Sequence, residues 1–143
     1  MVDSDLKKEW VNITPSHEKL WVWQKADKLY FQIMLMCRLL PSREKYNLRS
    51  QIERSAKSVK DNIAEGNESY YFKDKMKGLY TARKEAAETQ NHLRDLEKFK
   101  CATTLKIQQM IDEYEEIKRG INGLINRISQ RSDISSNRGE RSS

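Results

Sequence analysis

Two stripes run side by side at helical spacing through the segment 48–66, and together they constrain this chain more than any other feature. One is apolar: Leu48, Ile52, Ala56 or Ser55, Val59 and Ile63. The other is small or polar: Gln51, Ser55, Ser58, Asn62 and Glu65, at steps of four, three, four and three. Residues three and four apart share a helix face. A face left to water is ordinarily rich in Lys and Glu, because Ser and Asn are mediocre helix formers. Small hydrogen-bonding side chains therefore predict that this flank also meets something closely, whether another helix, another subunit or a ligand.

The rest of the chain reads as helix too. With 143 residues, only 5 Gly and 2 Pro, and 34% charged against 37% apolar residues, it has the profile of one helical domain with a single core. Thr14-Pro15-Ser16 is a helix-start signal. A first helix follows over about 17–39, with Trp23, Ala26, Tyr30, Ile33, Cys37 and Leu40 as its stripe, widened by Val22, Leu29 and Met36. Pro41 ends it, since a residue before Pro avoids the α region. A second helix is expected over about 43–66, with Gly66-Asn67 as its C-terminal cap. A third covers about 70–99, starting its core at Phe72 and Met76. Thr103 or Thr104 caps a fourth, striped by Ile107, Met110 or Ile111, Tyr114, Ile117, Ile121, Leu124 and Ile128. Gly120 and Gly123 on it leave room for a close neighbour.

Four helices of similar length joined by short links predict an all-α, antiparallel up-down-up-down bundle over residues 15–130. Residues 1–14 are expected as a flexible arm. The Ser-, Arg- and Asn-rich segment 131–143 is expected as a disordered polar tail. Nothing at the N-terminus resembles a signal peptide and no apolar run approaches a membrane span, so a cytoplasmic protein without membrane contact is the expectation. Cys37 falls on an apolar stripe and reads as a buried free thiol.

The residues for enzymatic chemistry are not at the required spacings. His17 and His92 are far apart, with neither zinc spacing to a cysteine nor the Glu-x-x-His pattern of di-metal bundles. There is no Gly-x-Ser-x-Gly, P-loop or dinucleotide fingerprint, and Ser55 and Ser58 lack an evident base. Catalytic residues, metals and cofactors are therefore not expected. Arg54, Asn62 and Glu65 lie near one face of the second helix. They form either a polar network that fixes helix register or a ligand contact. If Arg54 is buried, Glu85 or Glu88 is its expected partner.

Charge points to an anionic partner. The formal net charge is +6. Tyr70, Tyr71, Lys73, Lys75 and Lys77 cluster at the turn between the second and third helices, where aromatic rings can stack on bases while lysines neutralise phosphates. The alternative is that Phe72 and Met76 begin a core and the lysines are a solvated face. Arg49, Lys57 and Lys60, with Arg43 and Lys45, extend the basic surface less regularly. Trp21 points about 160° away from Trp23. It is expected to be exposed as a protein interface, with Trp23 in the core.

The elements Leu20-x-Val22-Trp23-x-x-Ala26, Pro41-x-x-Glu44, Leu48-x-x-Gln51-x-x-Arg54 and Ser58-Val59-x-x-Asn62-Ile63-Ala64-Glu65-Gly66 carry a resemblance. The chain resembles the small four-helix-bundle proteins encoded in intervening sequences of bacterial 23S ribosomal RNA genes, also labelled ribosomal-protein-like. The accessory proteins of diversity-generating retroelements are similar in fold. The resemblance covers about residues 18–130. It implies a homopentameric barrel of bundles with a basic surface and no catalytic residues. The implied role is binding RNA or DNA, in the retroelement relatives beside a reverse transcriptase. It marks Gln51, Arg54, Ser58, Asn62, Glu65 and Gly66 as motif positions, without saying whether they serve folding, assembly or ligand. The alternative function is a protein-interaction adaptor that docks through the Trp21 side.

Overall fold

The computed structural model describes residues 14–44 and 46–141, so most of the expected N-terminal arm and Lys45 lie outside the described residues. Four α-helices carry the architecture: α1 (Trp21–Met36), α2 (Leu48–Glu68), α3 (Phe72–Lys98) and α4 (Thr104–Arg141). Each packs on its neighbours in sequence, and α4 closes the ring against α1. This is the expected all-α up-down-up-down bundle.

The first helix is shorter than its stripe. A 3-10 turn over Ser16–Lys19 precedes it, separated by extended Leu20, and a second over Cys37–Leu39 follows it. Leu40 is extended (φ −69°, ψ 144°), as the residue before Pro41 should be. The apolar face of α1 is also rotated from the expected one. Val22, Ala26, Leu29 and Ile33 are buried, while Trp23 and Tyr30 pack only partly against the core. The next helix starts at Leu48 rather than near 43, because Ser42–Glu44 forms another 3-10 turn.

The core is layered with alanine where helices come close. Ala26, Ala56, Ala82 and Ala86 are fully buried beside Ile52, Ile63, Leu93, Met110, Tyr114 and Ile117. Both Cys37 and Cys101 are buried free thiols, and burial pushes the Cys37 thiol up to about 12.

The α2–α3 seam is the tightest. A Cβ on Gly78 would lie 2.7 Å from Gly66 Cα and 2.9 Å from the Asn62 carbonyl oxygen, so backbone meets backbone there. This corrects the reading of Gly66 as a helix cap. The helix runs on to Glu68, no described glycine has a positive φ, and Gly66 serves close approach instead. Phe72 is likewise outside the core, which begins at Met76.

The α3–α4 turn is a Schellman motif: Lys100 N–H donates to the Glu97 carbonyl (3.0 Å) and Cys101 N–H to that of Leu96 (3.2 Å). Lys100 takes the left-handed position, at φ 59°. Thr103 is the cap of α4, accepting from Lys106 N–H at 3.1 Å. That helix continues to Arg141, past the point where a disordered tail was expected to begin. No proline interrupts the segment, and extending an existing helix avoids the cost of nucleating a new one.

At the opposite end, Glu68 ties the Ser16–Lys19 turn to α2. It accepts from Ser16 Oγ (2.7 Å) and His17 N–H (3.0 Å). These hydrogen bonds lower the Glu68 carboxyl to about 2. The tie places Lys19 and Leu20 beside the α2–α3 turn.

Candidate nucleic-acid interface

The α2–α3 turn carries the densest exposed aromatic and basic group. Tyr70 is 88% and Tyr71 68% exposed, with their rings edge to face at 5.2 Å. A tyrosine pair left so open has no packing role to justify its position. Lys73 and Lys77 are exposed next to them on the first turns of α3. Lys75 is half-buried and donates through Nζ to the Asn67 carbonyl at 3.1 Å. Lys77 shares a hollow of about 510 Å³ with Asn62, Glu65, Asp74 and Thr81, so part of its charge is balanced there.

The other expected phosphate contacts are not brought to this end. Arg49, near the start of α2, pairs with Glu53 at 2.9 Å. It stands on the order of 30 Å along the helix from the turn. Lys57 pairs with Asp61 at 2.6 Å. Lys60 pairs with Asp27 at 3.1 Å and sits over the rings of Trp23, Tyr30 and Phe31 at 5.4–5.9 Å. With only 17% of its side chain exposed, Lys60 works as a bracket between α1 and α2.

One hollow adjoins the turn, and a second opens beside it between the start of α1 and α4. The larger, of about 510 Å³, is lined by Leu20, Asn67, Phe72, Lys75, Leu124, Arg127, Ile128, Arg131 and Ser132. The smaller, of about 310 Å³, is lined by Lys19, Leu20, Trp21, Val22, Gly120, Gly123, Leu124 and Arg127. Leu20, Leu124 and Arg127 belong to both. Among the described residues, neither lining includes a carboxylate. Trp21 is 52% exposed as expected, but its ring also lies across Gly120, where a Cβ would collide with it. Gly123 faces open space. Lys19, Phe72, Arg127 and Arg131 were not among the expected site residues. The available signal was Arg127 and Arg131 four apart beside Leu124 and Ile128, a basic edge on an apolar stripe.

The motif residues form a separate, structural cluster. Ser55 is fully buried, with its hydroxyl 2.9 Å from that of Thr89 on α3. Asn62 Nδ2 donates to Ser58 Oγ and to the Ser58 carbonyl, both at 2.9 Å. Gln51 donates to Asn47 at 3.2 Å. Arg54 reaches Glu88 at 3.3 Å and Glu85 at 3.7 Å, the expected carboxylates, although it is itself 61% exposed. Burial raises the Glu85 carboxyl above the usual range, and neighbouring Glu88 raises it further. Gln51 and Glu65 are also exposed, Glu65 in the hollow with Lys77. The Ser55–Thr89 and Arg54–Glu85/Glu88 contacts join α2 to α3, whereas the Asn62–Ser58 and Gln51–Asn47 bonds stay within α2 and its N-cap. Among the described residues, no group of His, Cys, Asp or Glu could hold a metal ion.

Residues 18–123 match the family model described as 23S rRNA-intervening sequence protein. The chain belongs to this family. Its fold is similar to that of a protein of unknown function from the S23 ribosomal protein family of Bacteroides thetaiotaomicron. The two are 25% identical with a TM-score of 0.65, over 73% of this chain and 95% of that one. No curated protein matches the chain. No described helix is long and apolar enough to cross a membrane.

Proposed function

We propose that this 23S rRNA-intervening sequence family protein is a non-enzymatic accessory protein that binds RNA or DNA through the α2–α3 end of the bundle and acts as a homo-oligomeric scaffold. The observation that carries this reading is the open tyrosine pair Tyr70–Tyr71 beside exposed Lys73 and Lys77. Rings that bury little and cations without a described ion pair suit stacking on bases and screening of phosphates. The net charge of +6 favours the same partner. Ser55 is engaged in helix packing against Thr89, and the motif residue Ser58 accepts from Asn62, which supports a role other than catalysis.

Self-association is supported by Phe31, Leu35 and Leu39, exposed at four-residue steps along α1 and the turn after it. A homopentamer, and a place beside a reverse transcriptase, rest on the family resemblance. A ring of subunits would multiply weak contacts by avidity. The same apolar row favours the second reading, an adaptor that binds a protein and leaves nucleic acid untouched.

A salt titration of RNA binding separates the two. Two lysines on phosphates predict a log–log slope of about −1.4 per protomer, and Lys73→Ala or Lys77→Ala flattens it by about 0.7 each. Affinity that is flat in salt, or absent, contradicts nucleic-acid binding and leaves the adaptor.

A further inference from the structure

We infer that the two hollows between α1, α3 and α4 form one groove that takes two successive nucleotides of a single strand, with one base at Trp21, the next at Phe72, and Arg127 on the phosphate between them. This rests on the nucleic-acid reading above and narrows it to the single-stranded form.

The groove has the two components that a single strand requires. Each hollow presents one aromatic side chain, Trp21 in the smaller and Phe72 in the larger, and both remain substantially exposed. Each also has cations of its own: Lys19 in one, Lys75 and Arg131 in the other. Arg127 belongs to both, with Leu20 and Leu124, and so stands where a backbone linking two bases would pass. Among the described residues, the lining has no carboxylate to repel phosphate. Leu20, Leu124 and Ile128 add apolar surface, as base faces prefer. Asn67 offers a side-chain amide to a base edge in the larger hollow. Over Gly123 the α4 backbone is uncovered, which deepens the smaller one.

A duplex cannot use such a site without unstacking its bases, whereas an unpaired strand can place them there. The lysines of the α2–α3 turn, by contrast, would screen either form. Arg131 also gains a role: it lies on the stretch of α4 beyond the apolar stripe, brought alongside Lys75 because the helix does not stop at Gln130.

The test measures the full chain against a labelled oligouridine and an RNA duplex of equal length, at one fixed salt concentration, by fluorescence anisotropy. The expected result is tighter binding of the single strand. Phe72→Ala and Gly123→Leu should each weaken single-strand binding about tenfold while leaving duplex binding unchanged. Gly123→Leu changes no charge and enters open space, so it keeps the test decisive should Phe72→Ala fold poorly. If both strands bind equally, and both variants bind like the parent while Lys73→Ala weakens each, the groove is overturned and the broader nucleic-acid reading stands. If the parent protein binds neither, both fall.

Discussion

Gly78 sets how closely α2 and α3 approach. Its missing side chain admits Gly66 and the Asn62 carbonyl, all backbone atoms that cannot swing aside. Gly78→Ala should therefore destabilise the protein by about 1–3 kcal/mol in urea unfolding, despite the better helix propensity of alanine. Gly123→Ala meets nothing and should stabilise it by up to about 1 kcal/mol. Glu85 supplies a pH signature. Its carboxyl is harder to ionise in the folded protein than in the unfolded chain, through burial first and Glu88 second. Folding therefore loses stability as pH rises from the ordinary carboxylate range through the raised value. Glu85→Gln lacks that loss, so its Tm relative to the parent should climb as pH rises above the ordinary carboxylate range. A difference that stays constant with pH would contradict this placement of Glu85. At this scale the sequence was partly legible. The pairing of Arg54 with Glu85 and Glu88 followed from helical spacing and charge. The binding of Lys60 by Asp27 and three rings did not, because it depends on how α1 is rotated against α2.

Helix ends govern the element scale. The α3–α4 turn puts Lys100 in the left-handed region that costs an L side chain about 1 kcal/mol or more. Lys100→Gly should raise stability by up to about 1 kcal/mol, net of the entropy that glycine adds to the unfolded chain. Thr103→Ala removes the cap of α4 and should lower stability by about 1 kcal/mol, with Thr104→Ala nearly neutral. Periodicity located all four helices, since their apolar stripes are long. It was less informative at the ends. Leu20 breaks the first helix for reasons of tertiary contact, because Glu68 captures Ser16 and His17. Gly66 reads like a stop signal, and only the presence of Gly78 opposite shows why the helix passes through it.

On the scale of the whole molecule, the bundle separates its two kinds of polar surface. The motif cluster around Ser55, Thr89, Arg54 and Glu85 holds α2 to α3 along their length. The turn at one end collects Tyr70, Tyr71, Phe72 and Lys73, and the fold brings Lys19, Trp21, Arg127 and Arg131 alongside. Tyr70, Tyr71 and Lys73 were visible in the sequence because they are contiguous, and Trp21 was read as exposed but as a protein interface. Phe72 was expected in the core, and Lys19, Arg127 and Arg131 come from the turn before α1 and from α4, which only the tertiary fold brings to this end. The lysines and arginine spread elsewhere along α2 are spent on Asp27, Glu53 and Asp61. Photo-crosslinking with a thiouridine-substituted single-stranded RNA, followed by peptide mapping, tests the account most directly. It predicts adducts on the peptides that carry Tyr70–Phe72 and Trp21. Adducts confined to the Phe31–Leu39 face, or to the Arg49 end of α2, would contradict it.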